Sequence, residues 1–263
     1  MELTHWRQLS DQGPDLVPCL DFAGGRTAAG FGELAAGVPT DVTFLHIRGE
    51  GAGPLAARVD RWVAELAAVG RPVRAVLGFC AGAALATRVA DAIAVTESAP
   101  MTLLFDAVPT TGDSLADEFT SALKSSAGQL TEDELADARG LSEQIAAAYP
   151  DDLPRIAAAL AARYGQLMHA VAGRLSLPEF FRGELTAGFT AYLDYLLLAG
   201  EGGFDMRTAV PLFVCSDGYE PPVPGSRAIA LDIGHDDLLR NPEVHELVAD
   251  LLTGEQPWPP CPR

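Results

Sequence analysis

Apolar residues fall into two rhythms along this chain, and the switch between them organises it. Through the first hundred residues, short aliphatic and β-branched runs alternate with helical periods. Leu16-Val17-Pro18-Cys19-Leu20-Asp21-Phe22 reads as a strand that runs into an Ala23-Gly24-Gly25 loop. Val42-Thr43-Phe44-Leu45-His46-Ile47 reads as a strand buried on both faces. After Pro54, the residues Leu55, Val59, Trp62, Val63 and Leu66 recur at helical spacing until Gly70. Residues 73–78 and 101–106 give two more strand signals, with a helix of small residues over 81–93 between them. Strands alternating with helices in this way predict a mostly parallel sheet with right-handed crossovers.

From about residue 112 to residue 203 only helical periods remain, punctuated by Pro150, Pro154, Pro178 and Gly183. Ile156, Leu160, Tyr164 and Leu167 make one apolar stripe. Phe181, Leu185, Phe189, Tyr192, Leu193 and Leu196 make another. The strand rhythm then returns at Ala209-Val210-Pro211-Leu212-Phe213-Val214-Cys215 and again at Ala228-Ile229-Ala230-Leu231. The expectation is therefore one α/β domain over 1–263, with residues 112–203 inserted as helices. A last helix should start with Asn241 as N-cap and Pro242 behind it, turn Val244, Leu247, Val248, Leu251 and Leu252 inward, and stop at Gly254.

Composition narrows the classes. With 263 residues, 48% of them hydrophobic and 21% charged, the chain can bury one sizeable core, and it is neither fibrous nor disordered. No apolar run is long enough to span a membrane. Met1-Glu2-Leu3-Thr4-His5-Trp6 lacks the basic and apolar regions of a secretory signal, so a cytoplasmic setting is expected. Asp and Glu number 36 against 18 Lys and Arg, a net charge of −18 that argues against nucleic acid or a membrane surface as partner. The cysteines, Cys19, Cys80, Cys215 and Cys261, are far apart and form no CxxC pair, so neither a disulfide framework nor a zinc site is expected. Cys19 and Cys215 read as small buried thiols in strands, and Cys261 lies in a Pro-rich tail.

Cys80 differs. Gly78-Phe79-Cys80-Ala81-Gly82 joins a strand directly to a helix, a G-x-C-x-G form of the nucleophile elbow. Gly78 and Gly82 leave room for strand and helix backbone to meet. The helix start offers N–H groups to an oxyanion and a positive dipole end to a thiolate. A base is then required. His235, in Asp232-Ile233-Gly234-His235-Asp236-Asp237, stands between the last strand and the last helix, where a hydrolase histidine belongs. His46 could line a pocket but reads better as structural, and His5, His169 and His245 read as surface or packing residues.

Two acids qualify to orient the histidine. Asp106 follows one strand and Asp217, in Cys215-Ser216-Asp217-Gly218, follows a later one, so both give the order nucleophile, acid, histidine. Asp236 and Asp237 adjoin His235 too closely to address its ring. The oxyanion hole should use the N–H of Ala81 and, from the early loop, that of Ala23. The early loop lacks both G-x-x-x-x-G-K-[ST] and G-x-G-x-x-G, so nucleotide binding is not expected. Neither a metal nor a cofactor is expected.

Together these residues resemble the thioesterases of nonribosomal peptide and polyketide synthesis, a branch of the α/β hydrolases. The resemblance runs through Ala23-Gly24-Gly25, His46-Ile47-Arg48-Gly49, Leu77-Gly78-Phe79-Cys80-Ala81-Gly82-Ala83-Ala84-Leu85-Ala86, Leu104-Phe105-Asp106-Ala107-Val108-Pro109 and Gly234-His235. It implies an α/β-hydrolase fold with 112–203 as a helical lid. It also implies an acyl or peptidyl substrate delivered on the phosphopantetheine of a carrier protein. Domains that end assembly lines match Asp106 as the acid, whereas stand-alone thioesterases place the acid later, at Asp217. Serine is the usual nucleophile of the family, and Ala83 replaces a frequent glycine. A dienelactone-hydrolase-like esterase, which shares the cysteine elbow but uses the late acid, and a non-catalytic carrier-binding homologue are the alternatives.

Overall fold

The computed structural model describes residues 3–22, 29–48, 53–204, 207 and 210–254, with the side chains of 125, 127 and 179–182 left aside. These residues form two compact units, one made of 1–108 with 201–263 and the other of 109–200.

The first unit carries strands β1 (Trp6–Gln8), β2 (Asp15–Leu20), β3 (Val42–Ile47), β4 (Ala75–Phe79) and β5 (Met101–Phe105) before the helical segment, and β6 (Leu212–Cys215) and β7 (Arg227–Ala230) after it. They lie in the order β1-β3-β2-β4-β5-β6-β7. β1 runs antiparallel to β3 and every other pairing is parallel. β2, β3, β4, β5 and β6 are buried almost throughout, which is why they read as continuous apolar runs rather than alternating ones. β7 alternates half-buried and exposed positions, as suits a sheet edge.

Helices α1 (Phe31–Gly37), α2 (Leu55–Val69), α3 (Gly82–Ile93) and α8 (Pro242–Thr253) flank the sheet. Phe31 and Leu34 of α1 and Val244, Val248 and Leu252 of α8 share one core with Val17, Leu77, Leu103 and Val214. Leu16 and Val76, between those strand positions, are also fully buried, and α3 packs on β2, β4 and β5 with α2 alongside it. Chain punctuation matches the sequence pattern. Gly70 ends α2 in the left-handed region, with its N–H donating to Ala67, and Gly254 ends α8 the same way. The Asn241 side chain accepts the Glu243 N–H at 2.9 Å to start α8. β1 and α1 have no counterpart in the pattern. One is only 3 residues long, and the other has 7 residues, two of them glycines at 32 and 37, after a Gly30 N-cap. Val73, expected in β4, makes only an isolated bridge to Leu16.

The second unit is all helix: α4 (Gly112–Ser125), α5 (Glu132–Ala148), α6 (Leu153–Arg174) and α7 (Glu179–Gly200). Capping boxes at Thr111 and Thr131 and the Asp152 cap start three of these helices. Phe119, Tyr164 and Phe189 form its aromatic centre, with Tyr164 and Phe189 4.4 Å apart. Burial pushes the Tyr164 phenol above its ordinary range. Arg174 binds the Glu134 carboxylate at 2.8 and 3.1 Å and the Gln129 carbonyl at 2.6 Å, which holds the Glu134 carboxyl below its ordinary range. Of the second apolar stripe, Phe189, Leu193 and Leu196 are buried and Leu185 is exposed, while the Phe181 side chain lies outside the described residues.

β4 and α3 meet so closely that only glycine fits at position 78. A Cβ there would stand 2.5 Å from Ala83 Cα and 2.9 Å from Ala83 N. These are backbone atoms of α3 and cannot swing aside. Gly78→Ala should therefore destabilise the fold by about 1–3 kcal/mol. In a thermal melt that is a fall of roughly 2–4 °C per kcal/mol.

Candidate active site

Register brings three strand ends together. Phe79 lies beside Phe105, and Phe105 beside Val214. Cys80, Asp106 and Ser216 therefore leave β4, β5 and β6 at the carboxyl edge of the sheet, the edge where open α/β sheets bind ligands. The ladder runs on beyond the strands: Cys80 N–H donates to the Phe105 carbonyl at 2.9 Å and Asp106 N–H to Val214 at 3.0 Å. Both residues turn into left-handed backbone, with φ of 54° at Cys80 and 41° at Asp106. For a residue with a side chain that costs about 1–2 kcal/mol, which the surrounding hydrogen bonds must hold in place. At Cys80 they do so from both sides, since its carbonyl also accepts the Ala83 N–H at 3.1 Å.

Cys80 is partly exposed between buried Phe79 and Ala81. Ala81 is the N-cap of α3 and Gly82 its buried first residue. The first N–H groups of a helix have no acceptor within it, so this end can stabilise negative charge. Ala23, expected as the second oxyanion donor, lies with Gly24 and Gly25 outside the described residues, as does Cys261.

Asp106 is fully buried and its carboxylate accepts three hydrogen bonds. Oδ1 receives the Ser216 N–H at 2.7 Å, and Oδ2 receives the Ser216 hydroxyl and His235 Nδ1–H, each at 2.7 Å. A carboxylate only accepts, so Nδ1 carries the proton, and Nε2 is the basic nitrogen when the ring is neutral. His235 opens a 3-10 turn, His235–Arg240, after the extended Gly234. Its ring stacks with Phe79 (centroids 5.0 Å, planes 17° apart) and with Tyr219 (4.9 Å, 11°).

Asp217 takes no part in this bond among the described residues. It is exposed, and its N–H donates to Ile233 at 2.9 Å. Asp236 and Asp237 are exposed, the latter 3.6 Å from Arg240. His46 is buried in β3, 6.4 Å from the Phe31 ring. His245 Nε2–H donates to the Leu239 carbonyl at 3.0 Å, and His169 is exposed. Sequence reasoning missed Ser216 and Tyr219. Ser216 could have been suspected from its place at a strand end beside a candidate acid, whereas no spacing marks Tyr219.

Cys19 and Cys215 are thiols of another kind. Burial, with Asp21 nearby, raises the Cys19 thiol well above its ordinary range. Burial, then Asp106 and Glu220, pushes Cys215 up to about 11. A surface groove of about 400 Å³ beside Leu55, Val59, Arg88 and Glu201 contains none of the expected site residues. Among the described residues, no group of three His, Cys, Asp or Glu side chains is placed to hold a metal, and no helix is long and apolar enough to cross a membrane.

No protein-family model matches the chain, and no curated protein does. Solved structures do. One is a four-domain nonribosomal peptide synthetase, holo-AB3403, bound to AMP and glycine; the match has a TM-score of 0.57 at 14% identity and covers 97% of this chain. The chain spans about a fifth of that protein's length, 20% of it. Another is the Vlm2 thioesterase domain with a genetically encoded 2,3-diaminopropionic acid, bound with a dodecadepsipeptide. That match has a TM-score of 0.51 at 17% identity and covers 97% of this chain and 99% of the domain. The mostly parallel sheet flanked by helices is the α/β-hydrolase fold.

Three outcomes follow from the site. Alkylation at pH 8 should label Cys80 in the native chain and spare Cys19 and Cys215 until it is unfolded, read by peptide mass spectrometry. The Cys215 thiol, held up to about 11 from an ordinary 9.0, keeps its proton in the fold where the unfolded chain loses it. Its contribution to stability is complete below pH 9 and declines as pH rises toward 11. Urea titrations of wild type and Cys215→Ala should therefore diverge in pH dependence only in that alkaline window. Separately, Ser216→Ala removes a hydroxyl from a buried charge and should cost about 1.5–3 kcal/mol in urea denaturation.

Proposed function

We propose that this chain is a thioesterase or acyltransferase of natural-product biosynthesis. In this reading it receives an acyl or peptidyl group from the phosphopantetheine thiol of a carrier protein onto Cys80. The observation that carries the proposal is a cysteine on a left-handed strand-to-helix turn whose preceding residue, Phe79, stacks on a histidine bonded at 2.7 Å to a buried aspartate. That bond favours Asp106 over Asp217 as the orienting acid, and among the described residues the late-acid, dienelactone-hydrolase-like reading has no supporting contact.

His235 Nε2 takes the Cys80 proton and the sulfur attacks the thioester carbonyl. The oxyanion is held by the Ala81 N–H and, as the second donor, by Ala23. Collapse breaks the bond to phosphopantetheine, whose sulfur leaves with the proton from His235. The acyl group now sits on Cys80 as a thioester, close in energy to the one it left. His235 then deprotonates water, an amine or a hydroxyl, which attacks the acyl carbon and expels the Cys80 thiolate. A serine ester is a less activated acyl donor, so sulfur here suits transfer and cyclisation as well as hydrolysis. No other cofactor is needed. We assign the helical unit the role of lid and the enzyme a cytoplasmic setting.

Single-turnover mixing with acyl thioesters, on a carrier protein or on a short pantetheine mimic, tests this by intact-protein mass spectrometry. Wild type should gain one acyl group on Cys80 and Cys80→Ala none. Asp106→Asn should slow acylation on the order of 10³–10⁴-fold, by analogy with other orienting acids. Asp217→Asn should leave the rate essentially unchanged. Acylation persisting in Cys80→Ala would falsify the mechanism.

A further inference from the structure

The His235 ring is held by more than its hydrogen bond to Asp106. Its Nδ1–H is bonded to a fully buried carboxylate at 2.7 Å, and two aromatic rings, Phe79 and Tyr219, lie nearly parallel to it at 5.0 and 4.9 Å. Aromatic faces carry negative charge density and attract a cation. The side chain is 27% exposed, so a protonated ring keeps some contact with water. Asp217, which follows β6, is exposed. Cys215 stays protonated, and Glu220 of the β6 side and Asp236 and Asp237 of the histidine's own turn are exposed. Phe79 immediately precedes Cys80, so the stack ties the base to the elbow itself. The start of α3 stabilises negative charge on the sulfur.

We propose that Tyr219, with Phe79, is a positioning residue that fixes the His235 ring and stabilises its imidazolium form, so that Cys80 rests as a thiolate paired with it. This rests on the reading of Cys80 as nucleophile. The proton moves from Cys80 Sγ to His235 Nε2 before substrate arrives, and no other bond changes. A serine would not give up its proton in this way, because its hydroxyl is a far weaker acid than a thiol. The stack is thus the feature that matches this site to cysteine.

The test is the pH dependence of Cys80 alkylation by iodoacetamide, read by peptide mass spectrometry on the full chain without any acyl substrate. Wild type should react at a constant rate into acid, below the ordinary thiol range. In Tyr219→Leu the inflection should move up by about one pH unit, a tenfold change in the thiolate equilibrium, and Tyr219→Phe should restore it. Superimposable profiles for wild type and Tyr219→Leu overturn the inference. Should Tyr219→Leu not fold, nitrogen NMR of the His235 ring decides. The ring should be protonated at neutral pH in wild type and lose that proton in Cys80→Ala, and a neutral ring in wild type overturns the inference. Both readouts are blind to acyl transfer. A shifted profile with no thioester turnover sinks the proposed function alone, and turnover with an unshifted profile sinks the stack alone.

Discussion

A carboxylate withdrawn from water has to be met by donors, and at Asp106 that demand joins segments more than a hundred residues apart in sequence. Its oxygens are satisfied by Ser216 from the end of β6 and His235 from the turn before α8. Removing either partner leaves a buried charge short of a donor, a loss well above that of a surface contact. The histidine's orientation, its tautomer and the direction of its second nitrogen all follow from this one buried group. The helical segment enters the chain directly after Val108, just beyond Asp106, and the sheet resumes after it in β6, the neighbour that supplies Ser216.

Backbone strain at the sheet edge is concentrated at the candidate site. Cys80 and Asp106 are two of the three non-glycine residues with positive φ among the described residues, and they follow adjacent strands. Each donates its N–H to the next strand over, so the ladder forces the chain to turn abruptly instead of fraying. Gly78 sets the other boundary by letting α3 approach β4. A partly exposed sulfur at a helix start is the result of strand register, close helix packing and one strained residue acting together.

Much of this was legible in the residues, for physical reasons that also explain the gaps. β3 matches the expected run residue for residue because all six of its positions are buried and β-branched or apolar side chains dominate it, and α8 announces itself through Asn241, Pro242 and Gly254. The elbow was visible because Gly78 is a steric requirement. Asp106 and Asp217 were not separable in the residues, since both end strands, and only tertiary geometry shows one carboxylate buried and the other exposed. Tyr219 lay beyond reach for a similar reason: a ring stacking from a loop obeys no period. β1 and α1 are too short for periodicity to register.

Charge presents the last constraint. A chain with net charge −18 offers an acidic partner no long-range attraction, and many of its arginines are occupied within the fold. Arg71 holds the carbonyls of Gly13 and Pro14, Arg74 those of Leu252 together with Asp15, Arg88 that of Gly202 and Arg174 that of Gln129 together with Glu134. These guanidinium groups act as staples for main-chain oxygens that secondary structure leaves unmet, and a staple is not available as a docking patch. Carrier proteins are themselves commonly acidic. The proposed carrier would therefore have to be recognised through apolar contact and through the pantetheine arm entering the site, so that association is slow and weakly dependent on salt rather than steered by charge.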